Sequence, residues 1–422
     1  MSLHRTVVLL AAAAVLLPAQ EVRTKDVRDI AKGGSNAIPR LQELLKNRDT
    51  DVRVEVVKQL TSIGTQYGID PLIQATHDND PEVQIRATDG LVNFYLPGYV
   101  QNGFGASVRR VGTSIKGKFS DNNDQVVDPF VTVRPEVVTA LGSLVRGGGS
   151  MEVRANAARA VGILRGKAAG PDLVEALRTK NTDVIFESLN AIQKIHDESL
   201  APRTTFLLHD LDSKVQVAAI ETTGLLRNQE AVPDLIDVLN HARDAKVKRA
   251  ALTAIAMLPA PASRSVYAQY LHDKDDKLRA AAAEGYARLR TPADLPMLEK
   301  VWMEEGRTSP RLSLAFAQVM LGKTELSEFS PLQFLINNLN SAAYKGEAQP
   351  FLVELARDGH IRSALYRPLQ TGTKDEKIGL LGVLASSGDA GSMAEVKKLT
   401  NDPDPEVARE ALRAHRNLQA RF

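Results

Sequence analysis

Residues 270–289 read YLHDKDDKLRAAAAEGYARL. His272 and Asp273 stand together, with Asp275 and Asp276 close behind, a grouping that invites a metal reading. Two other stretches decide against reading it alone: ATHDNDPEVQIRA at 75–87 and LLHDLDSKVQVAA at 207–219 repeat the same order of residue types. Aligning the chain on the polar–Val–basic step that follows gives Asp51-Val52-Arg53, Glu82-Val83-Gln84, Glu152-Val153-Arg154, Asp183-Val184-Ile185, Lys214-Val215-Gln216, Lys246-Val247-Lys248, Lys277-Leu278-Arg279 and Glu406-Val407-Ala408. The first residues lie 31 apart from 51 to 82, from 152 to 183 and from 183 to 214, then 32 and 31 apart. A fixed period of this size is the mark of a solenoid or array.

Each period has the same interior. A first apolar helix opens at proline in IPRLQELLKN (38–47), IDPLIQATHD (69–78), GPDLVEALRT (170–179) and AVPDLIDVLN (231–240), since a proline in the first turn loses no helical hydrogen bond. An aspartate-rich corner follows, and aspartate there can cap the next helix. The second helix carries apolar residues at helical spacing, as at Val153, Ala157, Ala160, Val161 and Leu164. Glycine is expected to end units at Gly64 and Gly166.

The helix pair with a first-helix proline and a D-x-x-V-R-x-x-A-x-x-A second-helix start resembles a HEAT-like repeat, of the short kind found in phycobilisome-lyase-like proteins. The resemblance covers most of 36–322 and returns at 373–419. It implies an all-α solenoid, a right-handed superhelix of about ten helix pairs with one insertion or divergent repeat. Such repeats serve many unrelated tasks, so the fold alone assigns no function. Residues 21–35 are expected to form an N-terminal capping helix, 36–96 and 135–322 regular repeats, 323–372 an irregular helical region, and 373–422 the C-terminal repeats.

The 422-residue chain has a formal net charge of +2, so no global field points to nucleic acid or an anionic membrane. His4 and Arg5 precede an unbroken apolar run from Val7 to Leu17, broken by Pro18-Ala19-Gln20. This is the layout of a signal peptide over 1–20, too short to span a membrane comfortably. The expectation is export to the periplasm or the exterior, with no membrane span after cleavage. The absence of cysteine rules out disulfides, thiolate chemistry and lipid attachment through an N-terminal cysteine.

One connection breaks the pattern. Residues 97–134 read PGYVQNGFGASVRRVGTSIKGKFSDNNDQVVDPFVTVR, where other units need only a short loop. Tyr95, Tyr99 and Phe104 lie among glycines. Val108, Val111, Ile115 and Phe119 recur at helical spacing beside Arg109, Arg110, Lys116 and Lys118. QVVDPFVTV (125–133) is β-branched and reads as extended. Two readings stand: a partner-binding element carried by Tyr95, Tyr99, Phe104, Arg109, Arg110, Lys116, Lys118 and Phe119, or a degenerate repeat packed on its neighbours. DNNDQ (121–125) fails as a calcium loop, because the sixth and twelfth positions are Val126 and Thr132.

Catalytic patterns are missing: there is no G-x-S-x-G, P-loop or H-E-x-x-H. GGGS (147–150) lacks the strand and lysine of a nucleotide site and reads as a turn. Trp302 falls on a first-helix pattern and reads as packing. His77, His209, His241 and His272 each precede their unit's Glu82, Lys214, Lys246 or Lys277 by five residues. That places them at first-helix C-termini, where imidazole can meet the last carbonyls. Repeat-equivalent side chains point in parallel, not toward the common centre a metal needs. The HEAT-like enzyme deoxyhypusine hydroxylase holds a di-iron site on His-Glu pairs within helices, and this chain has no His-Glu dipeptide. The bilin lyases act inside the cell, typically with a second subunit, and nothing in this sequence identifies a bilin pocket. Arg53, Arg86, Arg154 and Arg279 read as a solvated ridge along one edge. The favoured function is a non-enzymatic exported scaffold for a protein or peptide partner, with no cofactor, no metal and no catalytic residue. The alternative is a lyase- or oxygenase-type enzyme or subunit.

Overall fold

The computed structural model describes residues 22–100 and 125–422. Among the described residues every regular element is a helix. The units run as first helix, corner, second helix: Ile38–Leu44 with Thr50–Ile63, Ile69–Thr76 with Pro81–Tyr95, Pro135–Gly147 with Met151–Ile163, Gly170–Ala176 with Thr182–Ile195, Val232–His241 with Ala245–Met257, Arg264–Tyr270 with Asp276–Leu289, and Leu295–Glu304 with Thr308–Met320. Short 3-10 turns such as Gln66–Gly68, Lys167–Ala169 and Gln229–Ala231 lead into the first helices. The fold is an all-α solenoid.

The corners show why the aspartates recur. The first one turns the loop and the second caps the helix. Asp78 accepts from the Asp80 N–H at 2.9 Å, and Asp80 then accepts from the Glu82 N–H at 2.9 Å. Asp210 and Asp212, Asp273 and Asp275, and Asp402 and Asp404 do the same. Each second aspartate fills donors that a helix start leaves unpaired.

The residue after the motif's Val or Leu reaches back and satisfies the preceding helix. Arg53 donates to the Asn47 carbonyl at 2.9 Å, Gln84 to Asp78 at 2.6 Å, Gln216 to Leu208 at 2.8 Å and Arg279 to Asp273 at 2.8 Å. Arg53 also grips Asp78 of the next unit at 2.7 and 2.9 Å, and Arg279 grips Glu305 at 2.6 and 3.1 Å. Arg53 is buried. The expected solvated ridge is therefore, at Arg53, Arg154 and Arg279, a row of staples within and between units. Arg154 donates to the Val145 carbonyl at 2.8 Å. The reason is that a guanidinium has donors enough for a helix end and a carboxylate at once.

Unit ends differ in one detail from expectation. Gly64 does close its helix in the left-handed region, at φ 63°. Near Gly166 the left-handed residue is instead Arg165, at φ 51°, with His196, Arg227 and Arg290 in the same role. The helix ends one residue earlier than the glycine suggested, and these side chains accept the strain of that region.

The helix Thr24–Ala31 packs on Thr50–Ile63, with Val27 fully buried and Arg28 paired to Glu55 at 2.8 Å. Residues 323–372 form Pro331–Asn337, Lys345–Leu355, Gly359–Ala364 and Tyr366–Thr371. They stay in the stack, with the Phe351 ring stacked on Phe316 at 4.7 Å. Lys374–Ser387, Ala390–Lys398 and Pro405–Gln419 complete the chain.

The second helices form the inner layer. There, side chains two units apart still meet: Lys277 bonds Glu347 at 2.6 Å, and Arg288 bonds Glu354 at 2.9 Å. Such contacts require that layer to be the tighter curve.

The C-terminal corners carry an acid dependence. Backbone N–H groups hold the carboxyls of Asp389, Asp402 and Asp404 below their ordinary value of 3.8. A carboxyl with a lowered folded-state pKa contributes stability that is present above the unfolded value and lost as pH falls through the lower folded one. Helicity of 374–419 is expected to fall below about pH 4. Replacing Asp402 and Asp404 by asparagine, which still caps, should flatten that loss in a circular dichroism titration.

Candidate functional site

The connection 97–134 leaves and rejoins the solenoid at adjacent places. Its flanking second helices, Pro81–Tyr95 and Met151–Ile163, pack directly on each other. Asn156 donates to Asp89 at 3.1 Å, and the Gly149 N–H donates to Gln84 at 2.8 Å. The flanking first helices are tied by Arg134 and Asp70 at 2.8 Å. The stack is thus continuous, and the connection is an excursion from it. Phe104, Arg109, Arg110, Lys116, Lys118 and Phe119 lie outside the described residues, as does the apolar row Val108 to Phe119.

Tyr95 and Tyr99 are both half-buried. The Tyr95 hydroxyl accepts from the Arg134 N–H at 3.1 Å, and its ring meets Phe94 edge-on at 5.0 Å. Tyr95 therefore joins the two ends of the excursion. Tyr99 reaches the inner layer, where its hydroxyl bonds Arg159. Burial, with Asp89 nearby, pushes its phenol up to about 12.

Beneath Tyr99 lies a polar cluster. Arg159 bonds Glu187 at 3.2 and 3.4 Å. Asp89, Asn156 and Glu187 are buried, Glu187 to 3% exposure. Burial raises the Glu187 carboxyl, and Arg159 opposes that rise. Neighbouring charges and amides make such burial tolerable. Its members are bonded to one another, Asn156 to Asp89 and Arg159 to Glu187. Sequence reading did not single out these residues. A signal exists: Asn156 and Glu187 fall in phase with Ala218, Ala250 and Ala281 of later units.

The return leg is a strap. The run 125–133, expected to be extended, is instead irregular: it pairs in no ladder and is broken by a turn at Pro129–Phe130, where the Val131 N–H donates to the Asp128 carbonyl at 2.9 Å, because proline fixes its own φ and favours a turn. The Val127 N–H donates to the Ile163 carbonyl at 2.9 Å, and Val127 is 2% exposed. Asp128 takes two bonds from Arg413 Nε, at 2.9 and 3.0 Å, and one contact from Nη2 at 2.8 Å. Arg413 belongs to Pro405–Gln419, the last helix. The strap thus ties the third unit to the final one.

Arg413 is more than half exposed, so the pair contributes only about 0–1 kcal/mol. Its value is positional. Because the chain lacks cysteine, replacing Asp128 and Arg413 by cysteine creates a unique thiol pair. A short bis-maleimide should join them within one molecule. Absence of the intramolecular product would refute the contact.

The four corner histidines are exposed at first-helix ends. His241 Nδ1 lies 2.9 Å from the Asp237 carbonyl. Among the described residues no three His, Asp or Glu side chains converge to hold a metal ion. Trp302 packs edge-on against Phe334 at 6.1 Å, with Arg311 over its ring. Ser150 of the GGGS turn caps Met151–Ile163. No helix among the described residues is long and apolar enough to cross a membrane.

Comparison with known proteins places this geometry. The model for HEAT repeats matches residues 9–101 and 233–315, and the model for the PBS lyase HEAT-like repeat matches 153–179. Among solved structures, the complex of CpcE and CpcF of phycocyanin lyase from Nostoc is 16% identical, covering 63% of this chain and 92% of that one, with a TM-score of 0.39. An engineered protein is 18% identical over 90% of this chain and 98% of its own, with a TM-score of 0.34. Human deoxyhypusine hydroxylase is 16% identical over 68% and 96%, with a TM-score of 0.28. No curated protein matches the chain in sequence. With its 31-residue period, its capped corners and these two repeat models agreeing, the chain is a HEAT-like repeat protein.

Proposed function

We propose that the protein is an exported, non-enzymatic scaffold that binds a protein or peptide partner through the inner face of the solenoid and the 97–134 element. The observation carrying this reading is the Tyr99 cluster. Asp89, Asn156, Arg159 and Glu187 gather buried polar groups at the root of the excursion, and Asp128 of the strap pairs with Arg413 on Pro405–Gln419. Polar groups at that density on an inner solenoid face suit the recognition of backbone amides and charged side chains. Insertions in repeat arrays collect on one face, often the binding face.

The test replaces 101–124 by a short Gly-Ser linker and keeps Tyr95, Tyr99, Val127, Asp128 and Arg134, which are stitched into the stack. The expected result is an unchanged melting temperature with loss of the partner in a pull-down from the exported fraction. Capture of the same partner by both forms would sink the reading. The match of 153–179 to the PBS lyase HEAT-like repeat favours one alternative, a lyase- or oxygenase-type enzyme or subunit. Stoichiometric iron or zinc in the purified protein, lost when His209 and His272 are replaced, would establish that alternative.

A further inference from the structure

The outer layer carries a second surface, away from the inner face. At one seam between first helices polar side chains meet, where Gln42 donates to Gln74 at 3.1 Å. The unit after Thr182–Ile195 is built differently. Residues 198–207 form two 3-10 segments, Glu198–Arg203 and Thr205–Leu207, with Pro202 inside the first. Proline cannot donate an amide to continue an α-helix there. The narrower turns leave an open groove against Gly170–Ala176, of about 410 Å³, lined by Val174, Arg178, Pro202, Arg203, Thr205 and Phe206.

The lining is specific in two ways. Counting four residues back from the corner aspartates Asp78, Asp210 and Asp273 gives Gln74, Phe206 and Gln269. Two units place glutamine there, and this one places a phenylalanine that is 57% exposed. The repeat does not require an aromatic at that position. The groove also has two guanidiniums and no carboxylate among its lining residues. Neither the Arg178 nor the Arg203 guanidinium forms a hydrogen bond or an ion pair among the described residues. That contrasts with Arg53, Arg159, Arg264, Arg279 and Arg288, each held by a carboxylate.

We infer that this groove docks a short acidic segment of a partner protein, with an apolar side chain against Val174, Pro202 and Phe206 and carboxylates on Arg178 and Arg203. Guanidinium forks match carboxylates in geometry, and unpaired ones have the most to gain from them. The aromatic wall supplies apolar area beside the charge, which sets register rather than mere attraction.

The probe is a peptide array in which every member carries one Asp or Glu and one Leu, Ile, Phe or Trp within four residues. A twin array replaces each acid by lysine. Wild-type protein should be retained by a subset of acidic members and not by their lysine twins. Arg178→Glu with Arg203→Glu should lose that subset by about tenfold or more and shift toward the lysine twins. Phe206→Ser should weaken the same subset without shifting the charge preference. All three positions are surface-exposed or half-exposed, and melting temperatures check that the variants stay folded. Retention of no acidic member above its twin overturns the inference. So does equal binding by the Phe206→Ser form, which would mean unspecific charge attraction. Because the 101–124 replacement leaves this groove untouched, the inner-face reading and this one fail separately.

Discussion

Replacing Arg288 by methionine is expected to cost roughly 3–5 kcal/mol, the usual result of removing one partner from a buried ion network. Arg288 bonds Glu284 at 3.1 Å, Glu354 at 2.9 and 3.1 Å, and the Ala256 carbonyl at 3.3 Å. Its guanidinium lies 5.2 Å from the centre of the Phe316 ring. Only 13% of its side chain is exposed. Without it, Glu284 and the part-exposed Glu354 are left beside each other without the cation that joins them.

The loss carries a pH signature. Burial already holds the Glu284 carboxyl above its ordinary value of 4.5, with Arg288 opposing. Removing the opposing charge raises it further. A carboxyl raised in the folded state binds more protons there than in the unfolded chain, so stability falls as pH rises between the two values. The Arg288→Met deficit should therefore be smaller at pH 5 than at pH 8. Adding Glu284→Gln and Glu354→Gln should recover most of it. Urea unfolding followed by circular dichroism measures all three. A pH-independent deficit, or one under about 1 kcal/mol, contradicts the account.

The second large effect concerns Tyr267 and Gly285. Tyr267 is among the largest fully buried side chains, its hydroxyl donates to the Ile255 carbonyl at 3.0 Å, and its ring leans on Tyr286 at 5.9 Å. A Cβ at Gly285 would come within 2.3 Å of the Tyr267 ring. The glycine is thus required by the ring that lies over it. Tyr267→Ala should cost about 3–5 kcal/mol through its cavity. Gly285→Ala should cost about 1–3 kcal/mol through overpacking. The double variant is expected to cost clearly less than the sum, because the added methyl enters the space the ring leaves. Additive losses in thermal melts would show that the two positions act independently.

These two sites mark different limits of legibility. Gly285 lies in a run of small residues, AAAAEGYA at 280–287, and close helix approach is readable from such a run. That a tyrosine from the neighbouring helix fills the space is not. Arg288 and Glu284 stand four apart on one helix and read as a surface pair. Glu354 joins them only because the 345–355 helix, stacked next but one in the same layer, comes close enough to reach Arg288. The Tyr99 cluster follows the same logic. Its members are ordinary polar residues of separate units, and only stacking brings them beneath one aromatic ring.

The sequence by itself determined the repeat, its period, its capped corners and the one connection that departs from them. Those features rest on local physics: amide donors at helix starts, proline in first turns, and apolar residues at helical spacing. Tertiary structure decided what charged residues do. It turned Arg53, Arg154 and Arg279 from an expected solvated ridge into staples between helices. It paired Asp128 with Arg413 of the last helix, and left Arg178 and Arg203 without partners beside an exposed phenylalanine. Partnering of charges depends on superhelical curvature, which accumulates small rotations over many units, and no local stretch of sequence carries that sum.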